Sequence, residues 1–315
     1  MRDSFGREIT YLRLSVTELC NLRCRYCMPE DGVCKKRHEE MLTEEEMLLA
    51  VRTAASLGIR KLRITGGEPL VKKNILSICR RAAAVEGIDE VCLTTNGILL
   101  PALAKPLCEA GVRRINLSLD TLNAEKYAKI TRCGKLSDAL EGLEAALAAG
   151  FEKVKINAVL LGGVNDDEIE ALAALTRRYP VDVRFIELMP IGELPPFGSY
   201  LPADAVLRAL PELRPLPHDG SVAQRYRLEG ALGDVGMIRP ISAHFCGACN
   251  RLRLTADGKL KVCLHSAEEY SVKGMNAEEM TAQFRRAILA KPLRHGELSA
   301  EHRSPAGRSM NRIGG

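Results

Sequence analysis

The sequence predicts an α/β protein built on a parallel sheet, and two observations carry that expectation. Short β-branched or apolar runs recur six times, and helical segments with readable ends lie between them. The runs are Tyr11–Val16, Lys61–Thr65, Val91–Thr95, Arg114–Leu119, Lys153–Leu160 and Asp182–Leu188. Among the helices, Thr43 with Glu46 is a capping box that opens a segment ending before Gly58. Gly87, Gly111 and Gly150 each follow an Ala- or Leu-rich stretch, where a C-terminal cap is expected, and Ser137–Ala149 is strongly helical. Right-handed crossovers curl six such units into either an open barrel or a doubly wound sheet, and in both ligands bind at the carboxyl ends of the strands. The pattern changes after Leu188. Pro190, Pro195, Pro196, Pro202, Pro211, Pro215 and Pro217 crowd into a linker with one short helix at Ala203–Leu210. The expected division is a barrel-like domain over residues 1–219 and a smaller one over 220–315.

At 315 residues and 34.5 kDa the chain suits one large domain or two modest ones, with ordinary globular composition at 46% apolar and 27% charged. No apolar run approaches the roughly 18 residues of a membrane span, and the first residues carry neither the apolar core nor the cleavage site of a signal peptide, so a soluble, cytoplasmic protein is expected. The net charge of +5 sits in the C-terminal third: from Arg225 onward 15 basic residues face 9 acidic ones. That excess suits a phosphate-rich ligand or a solvated basic face. With no Trp and 4% aromatics, a stacking platform for single-stranded nucleic acid is not supported, and no Gly-x4-Gly-Lys-Ser/Thr loop is present.

Eleven cysteines, an odd count without an export signal, read as metal ligands before disulfides. Cys34, Cys79, Cys92, Cys108 and Cys133 are scattered and read as small hydrophobes. Cys20-Asn-Leu-Arg-Cys24-Arg-Tyr26-Cys27 follows the first strand, and its three thiolates can hold three corners of a [4Fe–4S] cubane, leaving the fourth iron open. Zinc wants four protein ligands, and only Cys34 and His38 lie near. Cys246-Gly-Ala-Cys249 with Cys263 forms a second triad; here His244 or His265 could complete a Cys3His zinc site, so spacing leaves zinc and a second open cluster equally placed.

The first triad, its aromatic neighbour Tyr26 and Gly66-Gly67-Glu68-Pro69 after the second strand together resemble the radical S-adenosylmethionine enzymes. The segment from Phe245 to Leu264, with Arg63-Ile-Thr-Gly-Gly-Glu-Pro, Thr94-Thr-Asn-Gly, Asn116-Leu-Ser-Leu-Asp, Lys153-Val-Lys-Ile-Asn and the terminal Gly314-Gly315, is similar within that family to the GTP 3′,8-cyclases of molybdenum cofactor synthesis. The resemblance implies a partial βα barrel with a smaller C-terminal iron–sulfur domain. It implies two [4Fe–4S] clusters, one on Cys20, Cys24 and Cys27 that binds S-adenosylmethionine, the other on Cys246, Cys249 and Cys263 that meets GTP. Tyr26, Gly67, Ser118 and Met189 match S-adenosylmethionine-contacting positions. Arg13, Arg63, Thr94, Lys155, Arg251, Leu252 and Arg253 match GTP-contacting positions. The cysteine-held cluster makes a 5′-deoxyadenosyl radical that begins conversion of GTP to its 3′,8-cyclo form, the Gly-Gly tail reaches into the site, an external donor supplies the electron, and cyclic pyranopterin monophosphate synthase acts next. The implied partners include neither nucleic acid nor membrane, and the assembly is a monomer or homodimer. The alternatives are another two-cluster radical enzyme such as a peptide maturase, which would want more C-terminal cysteines, and a zinc-stabilised nucleotide-binding module. Gly-Gly at a strand end also has a physical use, since without Cβ atoms the backbone can approach a ligand closely. Read without the resemblance, the terminal glycines would be a frayed end.

Overall fold

All six expected strands form. In the computed structural model, which describes residues 1–34, 36–192, 197–299 and 301–314, they are β1 (Tyr11–Ser15), β2 (Lys61–Thr65), β3 (Glu90–Thr95), β4 (Val112–Ser118), β5 (Lys153–Leu160) and β6 (Val181–Glu187). Each pairs in parallel with the next, and α1 (Glu44–Ser56), α2 (Ile75–Ala83), α3 (Leu100–Glu109), α4 (Ala124–Thr131), α5 (Leu136–Ala148) and α6 (Ile169–Arg178) occupy the crossovers. The capping box at α1 is present, with Thr43 Oγ1 accepting from Glu46 N and Glu46 Oε2 accepting from Thr43 N. Gly58, Gly87, Gly111 and Gly150 take φ near +90° just beyond helix ends, where a Cβ would be strained.

The linker holds α7 (Asp204–Ala209), matching the short helix expected there. Beyond it the chain returns to the same sheet at both edges. The strands β7 (Arg214–Pro215), β8 (Gln224–Arg227) and β9 (Val235–Ile238) extend it past β6, while β10 (Arg251–Leu254), β11 (Lys259–Lys261) and β12 (Tyr270–Ser271) extend it past β1. The twelve strands run in the order β12-β11-β10-β1-β2-β3-β4-β5-β6-β9-β8-β7, an open sheet whose ends do not pair among the described residues. This decides between the two layouts the pattern allowed: strands numbered in sequence order lie side by side from β1 to β6, as in a partial barrel, with no reversal between them. Then α8 (Ala277–Leu289) packs on α1, and the chain ends in the short α9 (Met310–Ile313).

One face of the strands packs under the helices through Leu12, Leu14, Leu62, Ile64, Leu93, Ile115, Ile156 and Val183, all buried. The alternate residues therefore line the other, concave face, and there the sequence places Arg13, Arg63, Thr94, Asn116, Lys155 and Arg253. No helix is long and apolar enough to cross a membrane among the described residues.

Candidate functional site

The loop after β1 carries Cys20, Cys24 and Cys27, and its path is fixed by the ends of β2 and α4. A Cβ on Gly67 would stand 2.5 Å from Leu19 O, and one on Gly66 would stand 2.7 Å from Thr17 O. Gly67 N and Glu68 N donate to Thr17 O and Leu19 O at 2.8 Å. The clearance the two glycines provide is thus used by the protein's own cysteine loop. From the other side Arg23 N and Arg25 N donate to Thr131 O and Ile130 O at 3.0 Å, and Cys27 N and Met28 N both donate to Cys24 O, closing a turn that brings two cysteines together.

Glu68, 1% exposed, ties this support together: it accepts from Thr95 Oγ1 at 2.8 Å, Leu70 N at 2.9 Å and Asn96 N at 2.7 Å. Burial raises its carboxyl to about 7 despite those donors. Tyr26 donates to Asp120 Oδ2 at 2.6 Å, and Asp120 Oδ1 accepts from Val159 N at 2.8 Å; burial raises the Asp120 carboxyl to about 6. Tyr26, Ser118, Asp120, Asn96 and Cys24 line a small cavity beside the triad. Burial also pushes the thiols up, Cys20 to about 11, Cys27 to about 12, and Cys24 well above its ordinary value.

The second triad is built on a hairpin. Cys246 opens a single helical turn, Cys249 leads into β10, and Cys263 follows β11. Antiparallel pairing sets Arg253 opposite Lys261 across a turn at Gly258, whose φ is +79°, so Cys249 and Cys263 arrive at the same end. Arg7 Nη1 anchors Cys246 O at 2.7 Å, and Lys291 Nζ donates to Arg251 O at 3.0 Å and Val262 O at 2.6 Å. Burial would raise the thiols here too, but His295 beside Cys246 and Lys291 beside Cys249 outweigh it and bring both below the ordinary value.

Each triad supplies three thiols, the donor set of a [4Fe–4S] cubane with one iron left open, whereas the four-ligand zinc alternative needs His244 or His265 turned to the second triad. His265 instead meets Ser304 Oγ at 3.0 Å, and His244 meets His295 at 3.1 Å; His244, Cys246 and His295 are the one compact group of possible ligands among the described residues.

Between the triads lies the concave face. Arg13 is the register neighbour of both Arg253 and Arg63, while Asn116 is that of Thr94 and Lys155. Arg63 donates through Nε to the Tyr11 hydroxyl and through Nη1 to Thr94 Oγ1 at 3.3 Å. Burial alone would raise Tyr11; the charges of Arg63, Arg13 and Arg251 outweigh it and bring the phenol to about 8. Burial and neighbouring cations act together on Lys155, lowered to about 8 against the pull of Asp182 at 3.0 Å, and on Arg253, lowered to about 10. Arg184, a cation the sequence reading left out, is lowered to about 10 by burial and Arg63. Arg63 is buried and Arg13, Lys155, Arg184, Arg251 and Arg253 are half-buried around it, an excess of positive charge that an anionic ligand would offset. Asn116 Oδ1, Asn157 Oδ1 and Arg251 Nε have no hydrogen-bond partner among the described residues. Leu252 lies on the opposite face in the core, so its side chain does not reach this cavity.

The C-terminal tail is not frayed. Asn311 Nδ2 donates to Glu18 O at 3.2 Å, Ile313 is buried with Ile191 and against Met189, and Arg253 Nη1 donates to Gly314 O at 2.6 Å. A Cβ on Gly314 would stand 2.5 Å from Thr65 Oγ1, so the tail enters the strand ends beside the first triad. Arg308 clamps it, bonding Glu269 at 2.6 Å and Asp257 at 3.0 Å and lying 3.7 Å from Glu18. Gly315 lies outside the described residues.

An open βα barrel with a three-cysteine loop after its first strand is the frame of one enzyme class, and the family model of the radical SAM superfamily matches residues 14–176. A second, Molybdenum Cofactor Synthesis C, matches residues 181–297. Over the full length of both chains the protein is 47% identical to the GTP 3′,8-cyclase of Alkaliphilus oremlandii and 49% identical to that of Pelotomaculum thermopropionicum. The chain belongs to the radical SAM superfamily and, within it, to the GTP 3′,8-cyclase family. Among solved structures, Streptococcus suis SuiB is similar in fold, with a TM-score of 0.62 over 91% of this chain and 67% of its own at 13% identity.

Proposed function

We propose that the protein converts GTP to (8S)-3′,8-cyclo-7,8-dihydroguanosine 5′-triphosphate, the first step of molybdenum cofactor synthesis. The observation that carries this reading is a cationic concave face flanked by two open thiolate triads, in a chain whose full-length relatives are GTP 3′,8-cyclases. Its cofactors are S-adenosylmethionine and two [4Fe–4S] clusters, held by Cys20, Cys24 and Cys27 and by Cys246, Cys249 and Cys263. When bound, the first cluster supplies reductive cleavage of S-adenosylmethionine, and the second offers an open iron toward the substrate base.

The remaining work belongs to side chains. Arg13, Arg63, Lys155, Arg251 and Arg253 bind the triphosphate, where converging cations on a buried anion give charge-assisted hydrogen bonds. Arg184 joins them. Thr94 orients the nucleoside, and Asn116 and Asn157 offer it the two acceptors that are unmatched without it. Tyr26, Gly67, Ser118 and Met189 frame S-adenosylmethionine: Tyr26 is held by Asp120, Gly67 by the Leu19 and Thr17 carbonyls, and Met189 by the tail. The main chain of Leu252 is what it presents to the site. The tail at Gly314 excludes water, and fixing two reactive centres across one substrate supplies rate through positioning. Residues 1–219 would activate the cofactor and 220–315 carry the second cluster. The protein works in the cytoplasm with an external electron donor, as a monomer or homodimer, and passes its product to cyclic pyranopterin monophosphate synthase. Anaerobically reconstituted protein given dithionite, S-adenosylmethionine and GTP should yield the cyclised nucleotide by mass spectrometry. Consumption of S-adenosylmethionine with GTP untouched would overturn the substrate assignment.

A further inference from the structure

We propose that Lys291 is a positioning residue that sets the reduction potential of the second cluster and holds it above that of the first. This rests on the reading that Cys246, Cys249 and Cys263 hold an iron–sulfur cluster.

Lys291 follows α8 and is 3% exposed. Its ammonium donates to the carbonyls of Arg251, two residues after Cys249, and of Val262, one before Cys263, so it is wedged between the two arms of the hairpin that present those cysteines. The ammonium is also near enough to Cys249 for its charge to draw that thiol below the ordinary value. No carboxylate ion-pairs with it among the described residues. A buried ammonium with only neutral carbonyls around it is costly, and the anion that compensates it here is the thiolate set it was placed against.

Hydrogen bonds to cluster sulfurs and nearby positive charge favour the more negative, reduced cluster and so raise its potential. Among the described residues no ammonium or guanidinium donates to a sulfur of the first triad. Its sulfurs receive amide donors, Leu22 N on Cys20 at 3.3 Å and Asn311 N on Cys27. Arg23, whose charge acts on Cys20, spends Nη1 on the carbonyls of Cys20 and Leu22. A second cluster with a buried ammonium wedged into its ligand hairpin accepts an electron at less negative poise than a first cluster without one.

The test is a redox titration, followed by electron paramagnetic resonance, of the full-length protein reconstituted anaerobically, as wild type, Lys291→Met and Lys291→Arg, with iron counted in each. The proposal expects about eight irons in all three. It expects a downward shift of the second cluster's midpoint in Lys291→Met, the first cluster's midpoint unmoved, and recovery of most of the shift in Lys291→Arg. Eight irons with both midpoints unchanged in Lys291→Met overturn it while leaving the second cluster's existence intact. Four irons in the wild type instead overturn the reading of the C-terminal triad, and the proposal with it. Should Lys291→Met lose the cluster because the hairpin opens, Lys291→Gln keeps a donor of similar length without the charge, and its midpoint against that of Lys291→Arg decides the matter in the same way.

Discussion

The two cysteine triads offer the same donors in opposite surroundings. Cys20, Cys24 and Cys27 sit on a loop wrapped by backbone and amides, where burial drives every thiol up. Cys246 and Cys249 are half-buried, yet Lys291 and His295 draw them down. The difference teaches that ligand spacing says little about a metal site's electrostatics, which come from residues far away in sequence. It also suits a division of labour, one centre enclosed by main chain and buried carboxyl groups and one held against cations next to a polyanion's cavity.

The sharpest way to break that comparison is to remove one cysteine from each side. Cys24→Ala should abolish both S-adenosylmethionine cleavage and cyclisation. Cys249→Ala should lower GTP conversion by about three orders of magnitude through lost positioning while S-adenosylmethionine cleavage persists, with iron halved in both. Equal loss of cleavage in the two variants would erase the division of labour. A smaller effect is expected of Lys155→Ala, which removes one cation from the face between the triads: the KM for GTP should rise by about 10–100-fold with cleavage of S-adenosylmethionine intact. A change confined to kcat would remove Lys155 from the binding set. Smaller again is the effect expected at Glu68, a support that only the first triad has. Its folded pKa of about 7 lies above the ordinary carboxylate value, so the protonated form is the one the fold prefers. Its contribution is full below about pH 4 and is lost as pH rises through 7, worth about 3 kcal/mol over that span. Urea midpoints at pH 5 and pH 8 should show this decline in the wild type, and Glu68→Gln should flatten it, at the expense of one hydrogen bond at pH 5.

Much of this was legible in the residues. The strand runs were readable because they are short, β-branched or apolar and separated by helices with readable ends, and period-two alternation put Arg13 and Lys155 on one face together. The same alternation pointed to Asn157 and Arg184, two residues on from Lys155 and Asp182, had it been carried one step further. Lys291 was not legible. Two residues past the end of an amphipathic helix, a lysine reads as a solvated end, and only the packing of α8 against the hairpin buries it. Gly66-Gly67 was read as room for a ligand, whereas the pair first makes room for the loop that carries the cysteines, a distinction that requires coordinates. The return of the chain to both edges of one sheet was hidden as well, since β9 and β10 are four residues each and too short to announce their partners.

That return has a consequence for how the molecule comes into being. Leu12 in β1 is flanked by Leu62 on one side and Leu252 on the other. During synthesis the first neighbour emerges soon after, but the second comes only once most of the chain has left the ribosome. Until then β1 is an edge, with the first cysteine loop beside it, and pairing across so long a separation is slow. The nascent protein therefore passes through an interval in which its first cysteine loop is made while β10, β11 and β12, the strands that close off that edge of the sheet, are still to come.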